Sequence, residues 1–366
     1  MGRLAELAVL DRSLVDLAEQ RRGGVLLLMG EPGIGKSVLV RELATRARRR
    51  GTRVCVGRCH EAEVAPAYWP WLPVLRELAD DDAPGEVTAL LGGDTDVETV
   101  HADAAALRTY DAAARVLGSV GEPLVVVLED LHWSDVSSLR MLTYAAEALR
   151  DDAVLFVLTV RSEATSRPAL TEALAGFSRL GARRLAMTPL GREEVAELVE
   201  GVIGDPGEEE LVEVLARRSD GNPFFALEMA RLLASQDELN ASAAEALLVP
   251  DGVADVLRLR FQRLSEPVRA TLSIAAVLGR DFDAGLIAAA VGRPVLDDLD
   301  AAMAAGVVRD GEQPGTGRFV HALARETLYA DLPTGRRASS HAAVAQALVE
   351  RLPRQDELVS EVAHHF

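Results

Sequence analysis

The rhythm of apolar and polar positions changes once along this chain, near residue 189. In residues 1–19, Leu4, Leu7, Leu10, Leu14 and Leu17 fall on one stripe, which predicts an amphipathic helix. Residues 25–29 are almost wholly aliphatic, the pattern of a strand buried on both faces of a parallel sheet. Helical spacing returns over 38–48, with Leu39 and Leu43 on one side. Strands are then expected at 52–57, 124–128, 153–160 and 182–187, with helices at 104–117 and 136–149. Strand and helix in repeated alternation predict a parallel sheet covered by helices on both faces.

Beyond Pro189 the pattern is helical throughout, at 192–203, 208–218 and 224–235. From 253 three or four short helices follow, the last at 295–305. Residues 306–311 and 317–321 then read as a β-hairpin with a long tip, and helices as far as 351 come after it. A helix-like stretch recurs at 363–366. The acidic, Gly- and Asp-rich run 80–96 reads as a mobile loop, and the alanine-rich run 240–248 as a linker before Pro250. Four domains are expected: 1–190, 191–249, 250–332 and 333–366.

Gly30-Glu31-Pro32-Gly33-Ile34-Gly35-Lys36-Ser37, which joins the first strand to the following helix, meets every fixed position of G-x-x-x-x-G-K-[ST]. Glycines at 30, 33 and 35 let successive backbone N–H groups turn inward on a polyphosphate. The helix that starts near Lys36 adds its positive end. Lys36 is placed to reach the outer phosphates, and the Ser37 hydroxyl to hold Mg²⁺. The pattern therefore predicts an ATP/ADP site.

Residues 124–128 lead directly into Glu129 and Asp130. A buried strand that ends in two carboxylates suits a P-loop protein: one acid orients Mg²⁺ and its waters, the other polarises an attacking water. Asp130 has a second reading as a cap for the next helix. Asp135 is expected to cap the helix at 136–149. Arg161, at the end of the strand 153–160, reads either as a sensor of the terminal phosphate or as one half of a surface ion pair. The run Ala65-Pro66-Ala67-Tyr68-Trp69-Pro70-Trp71-Leu72-Pro73 reads as a plug against the sheet or as a substrate or partner surface.

Composition narrows these choices. With 366 residues the chain has room for two or three domains. A net charge of −18 argues against a general basic surface for nucleic acid. The basic run 46–50 suits the end of the P-loop helix instead. No apolar stretch approaches the roughly 20 residues that cross a bilayer, and no secretory signal opens the chain. Two cysteines, Cys55 and Cys59, fit a reducing cytoplasm. With His60 they permit a metal site or ordinary strand-end packing.

Taken together these segments resemble the nucleotide-binding oligomerisation module of the STAND ATPases, as found in large LuxR-type and antibiotic-regulatory-type bacterial transcription activators. Gly2-Arg3-Leu4-Ala5-Glu6-Leu7 is similar to the family's opening G-R-x-x-E-L, residues 30–37 to Walker A, and 124–135 to an extended Walker B usually read D-D-L-H-W-x-D. Glu129 stands where aspartate is usual. Thr159-Val160-Arg161 resembles the sensor-arginine strand, Gly221-Asn222-Pro223 the G-x-P motif, and Phe319-Val320-His321 the winged-helix histidine, with different flanking residues.

The resemblance implies an α/β P-loop NTPase of the ASCE type, with a five-stranded parallel sheet, followed by a helical domain and a winged-helix domain. It implies nucleotide contacts from Arg3, Gly30, Pro32, Gly33, Ile34, Gly35, Lys36, Ser37, Val38, Pro223 and His321. Catalysis would fall to Lys36, Asp130 and Arg161, and Mg²⁺ to Ser37, Glu129 and Asp130. The implied role is a cytoplasmic switch, closed with ADP, opened by ATP into a homo-oligomer and reset by slow hydrolysis. Residues 295–305 carry Asp297, Asp298 and Asp300 and no Lys or Arg, so DNA contact is expected only from a domain outside this chain, which then reads as a piece of a longer protein. Two alternatives stay open: an ATPase scaffold attached to another signalling output, and a turnover enzyme such as a P-loop kinase or motor ATPase.

Overall fold

A computed structural model describes residues 3–59, 66–79, 83–92, 102–162, 167–204 and 208–351. The expectations placed on Gly2, His60 and the stretch 363–366 lie outside the described residues. The chain divides into two compact units, one of residues 3–188 and one from Pro189 onward.

The first unit contains α1 (Leu4–Glu19), β1 (Gly24–Met29), α2 (Lys36–Arg49), β2 (Arg53–Arg58), α3 (Trp71–Leu78), α4 (Gly85–Gly92), α5 (Ala102–Gly118), β3 (Leu124–Glu129), α6 (Val136–Ala148), β4 (Val154–Val160), α7 (Pro168–Arg179) and β5 (Arg183–Ala186). Its five strands are all parallel, in the order β2-β3-β4-β1-β5. Every residue of β3 and β4 is buried, which is why those strands are continuous aliphatic runs rather than alternating ones.

Alternation within the runs still sorts the two faces. Leu27, Val126, Leu128, Phe156 and Leu158 face the core shared with α3, α4, α5, α6 and α7. Leu26, Leu28, Val125, Val127, Leu155 and Val157 face α1 and α2. The basic run after residue 46 is used internally: Arg46 pairs with Asp11 and Glu42, and Arg50 with Asp11.

One expectation fails here. The run 80–96 contains a helix, α4, whose Val87 and Leu90 are buried in the core; three-residue apolar spacing outweighs the glycines and acids around it. The remainder of the run lies outside the described residues, apart from 83 and 84.

The second unit contains α8 (Arg192–Ile203), α9 (Glu209–Ser219), α10 (Pro223–Ser235), α11 (Ala241–Ala246), α12 (Asp251–Gln262), α13 (Glu266–Leu278), β6 (Asp281–Asp283), α14 (Ala284–Val291), α15 (Leu296–Ala304), β7 (Val308–Asp310), β8 (Thr316–Phe319), α16 (Ala322–Ala330) and α17 (Thr334–Arg351). The alanine-rich run at 240–248 is helical rather than a bare linker. Asn240 caps it by accepting from the Ala243 N–H at 2.9 Å, and Ala244 is buried.

The expected hairpin is β7–β8, and β8 also pairs antiparallel with β6, giving a sheet in the order β6-β8-β7. The strand β6 has only one apolar residue, Phe282 between two aspartates, too short a pattern to register as a strand. The helix α17 packs Val344, Ala347 and Leu348 against Val277, Leu286 and Leu332.

Candidate nucleotide site

The strand β1 ends at Met29, and the chain turns through 30–35 before α2 begins at Lys36. Two positions of the turn require glycine: Gly33 has φ 79° and Gly35 φ 104°, where a side chain would be strained. Ile34 is buried beneath the loop and anchors it, while Val38 in the first turn of α2 is exposed. Lys36 is almost wholly buried, and its ammonium donates to the carbonyls of Gly30 and Glu31, both at 2.8 Å. From the start of α1, Arg3 donates to the Ile34 carbonyl at 3.0 Å and pairs with Glu6 at 2.9 Å. Arg3 is therefore tied to the backbone of the loop.

Parallel pairing brings the end of β3 beside this loop. The Ser37 hydroxyl donates to Glu129 Oε2 at 2.8 Å. Glu129 is 3% exposed, and its other oxygen accepts from Arg58 at the end of β2, with Nε at 3.1 Å and Nη2 at 3.0 Å. Asp130 leaves the strand in the left-handed region, φ 59°, which aspartate tolerates better than most residues. Its N–H donates to Thr159 Oγ1 in β4 at 2.8 Å. Burial pushes the Asp130 carboxyl above the usual carboxylate range, with the charges of Arg161 and Lys36 pulling the other way. Asp130 makes no side-chain cap for the short turn after it; Asp135 is the capping residue, accepting from the Ser138 N–H at 2.8 Å.

Arg161 stands 5.7 Å from the centroid of the Trp133 ring. Arg167, just before α7, donates to the carbonyls of His132 and of Ser134, the latter at 3.1 Å, and so fixes the loop after β3. Trp71 is fully buried and donates from Nε1 to the Ser138 carbonyl at 3.2 Å, so that tryptophan serves as a plug; Trp69 is partly exposed. The thiols of Cys55 and Cys59 are both buried, and burial pushes their pKa up to about 12, which disfavours the thiolate.

Among the described residues no group of three or more His, Cys, Asp or Glu is placed to hold a metal. Arg3, the turn 30–35, Lys36, Ser37, Glu129, Asp130 and Arg161 thus all belong to the first unit. Arg58 and Arg167 carried no motif signal.

Residues 1–160 match the family model of the AAA ATPase domain. This part of the chain is a AAA-type P-loop ATPase domain. An uncharacterized protein of Rhizobium meliloti (strain 1021) is 26% identical over 84% of this chain, which spans 33% of that relative's length. The Walker-type ATPase PABY2304 of Pyrococcus abyssi is 16% identical, with a TM-score of 0.57 over 89% of this chain and 95% of that one. The ORC2 protein of Aeropyrum pernix is 17% identical, with a TM-score of 0.56 over 95% of each chain. At these identities the likeness establishes the fold alone. A STAND protein with a tetratricopeptide repeat sensor from Pyrococcus horikoshii, 17% identical, matches 96% of this chain and 45% of that one at a TM-score of 0.41, too low to bear on function.

The two remaining expected nucleotide contacts, Pro223 and His321, lie in the second unit, where residues close to Pro223 in sequence touch His321 and its neighbour. Asn222 caps α10 by accepting from the Phe224 N–H at 3.1 Å, with Pro223 at the first helical position. Phe225 meets the buried His321 ring edge-on, with centroids 5.0 Å apart. Asp220, just before the Gly221-Asn222-Pro223 turn, accepts from the Ala322 N–H at 3.0 Å and pairs with Arg280.

Proposed function

We propose that this chain is an ATP/ADP-dependent regulatory switch of the STAND type, belonging to a bacterial transcription regulator and hydrolysing ATP slowly. The observation that carries the reading is Asp220, whose carboxylate fastens the Gly221-Asn222-Pro223 turn to the backbone beside His321. Two motifs about a hundred residues apart are thereby held as one piece, which suits a module that responds as a unit to a single nucleotide. The unit's order α13-β6-α14-α15-β7-β8 and its three-stranded antiparallel sheet suit a winged helix. In α15, Asp298 pairs with Arg293 at 2.7 Å and accepts from Thr271, an arrangement that serves packing rather than phosphate binding.

In the ATPase domain, Ser37 and Glu129 present hard oxygen atoms 2.8 Å apart. That donor set, with Asp130 beside it, fits Mg²⁺, which takes one or two carboxylates plus phosphate oxygens and water. When bound it would offset charge on the phosphates. Lys36 would exchange its two carbonyl partners for phosphate oxygens. Asp130, with its raised proton affinity, would orient and deprotonate the attacking water. Arg161 would meet the terminal phosphate. A switch needs a nucleotide whose affinity differs between two states; moving a population from 1:99 to 99:1 takes about 5.5 kcal/mol.

The test is the nucleotide released on denaturing the purified protein, combined with its mass in solution with ADP and with ATP. Bound ADP in a monomer, and a larger species with ATP, is the expected result. A single mass under both conditions, with turnover of tens per second, would replace the switch by a turnover enzyme.

A further inference from the structure

We infer that Arg58 is the positioning residue that makes a glutamate workable at the end of β3. Strand pairing sets Arg58 directly opposite Glu129. Two guanidinium N–H groups, Nε at 3.1 Å and Nη2 at 3.0 Å, close on the same oxygen, Oε1. The other oxygen, Oε2, is the one that receives the Ser37 hydroxyl. Division of labour between the two oxygens is therefore built in: one is clamped, the other faces the P-loop.

Glutamate has one more rotatable bond than aspartate, so its carboxylate has more ways to miss the P-loop serine, and holding one rotor has an entropic cost. Pinning Oε1 from the neighbouring strand removes that freedom and sets the height at which Oε2 stands. The clamp also balances charge, because the Glu129 side chain is 4% exposed whereas Arg58 keeps 60% of its surface in solvent. Gly57 contributes through its lack of a side chain: a Cβ there would lie 1.9 Å from the Pro70 carbonyl. The chain can thus fold back over the end of β2.

This inference rests on the reading of Ser37 and Glu129 as the Mg²⁺ side of the nucleotide site. Its test is the binding of a fluorescent ADP analogue to the whole chain, measured in EDTA and then across a Mg²⁺ titration. Arg58→Met keeps the aliphatic stem and removes the clamp. We expect binding in EDTA to be unchanged within twofold and the Mg²⁺ midpoint to rise about tenfold, the lower end for loss of a group that orients a metal-facing carboxylate. Arg58→Lys recovers part of the shift. In Arg58→Met/Glu129→Asp the shorter acid needs no clamp, so the midpoint returns towards that of the unaltered protein.

A midpoint that stays within twofold in Arg58→Met overturns the inference, even if the melting temperature falls, because a merely structural ion pair would do only that. A double variant no better than Arg58→Met overturns it too. If the unaltered protein binds the analogue with no dependence on Mg²⁺, the underlying reading of the site falls instead.

Discussion

Ser37 and Glu129, 92 positions apart, are joined by a hydrogen bond of 2.8 Å. It ties the helix after the glycine turn to the acidic end of β3. Lys36 beside them is held in the same way by two loop carbonyls. If these residues hold phosphate as proposed, donors fixed in this way need little rearrangement to bind, which keeps the ordering cost low.

Lys36→Ala should therefore abolish nucleotide retention rather than weaken folding. The ammonium donates to carbonyls of the glycine turn, and α2 retains its buried Leu39, Val40 and Leu43. Hydrogen bonds to charged groups contribute roughly 1.5–3 kcal/mol each, so loss of two contacts predicts a fall in affinity of about 100-fold or more. Equilibrium dialysis with labelled ADP checks this, with the melting temperature as the folding control. Retention equal to that of the unaltered protein would remove the assignment of the site.

Asp130→Asn should separate binding from hydrolysis, leaving the first intact and reducing the second at least about 100-fold, the lower end for loss of a general base. A stability change accompanies it, with a definite sign. Burial raises the Asp130 pKa in the folded state, so the ionised carboxylate opposes folding at neutral pH. That opposition fades as the pH falls through the raised folded value towards the ordinary one. The asparagine variant should thus melt slightly higher at pH 7. The difference should vanish near pH 3 to 4. Calorimetry across pH detects it, and a lower melting temperature at pH 7 would contradict the burial argument.

Trp71 separates the two readings of the segment around it. Its ring is fully buried and its indole N–H is satisfied by the Ser138 carbonyl. Trp71→Ala should cost about 3–5 kcal/mol, and Trp71→Phe about 1 kcal/mol for the lost hydrogen bond together with a little packing. Trp69→Ala, at a partly exposed ring, should change stability far less. Urea unfolding of the three variants orders them, and equal effects at 69 and 71 would refute the plug reading.

How much was legible beforehand depends on how local each signal is. The glycine turn, the buried strands and the cap at Asp135 are local patterns, and each forms within a residue or two of the expected place. The helices α4 and α11 were obscured because glycine, aspartate and small residues are also loop signals. In both cases burial of one or two apolar positions, Val87 with Leu90 and Ala244, decides for helix. Arg58 and Asp220 were invisible for a different reason. Their importance comes from strand register and from a partner 71 or 102 positions away, which no nearby spacing encodes.

Asp220 supplies the most direct probe of the second unit. Its left-handed backbone, φ 51°, suits aspartate and would suit asparagine equally well. Asp220→Asn therefore leaves the turn unstrained while weakening the ion pair with Arg280 and the bond from the Ala322 N–H. Asp220→Ala removes both and adds strain at a positive φ. The expected loss is about 1 kcal/mol for asparagine and about 2–3 kcal/mol for alanine, from the hydrogen bonds and the backbone. If the turn and His321 act on nucleotide as one piece, the asparagine variant should also lose ADP faster than the unaltered protein, in proportion to the loosened tie. Stopped-flow displacement of a fluorescent ADP by excess unlabelled ADP measures that rate. An Asp220→Asn variant that unfolds more easily yet releases ADP at the unaltered rate would show that the tie serves the fold of the second unit and not the switch.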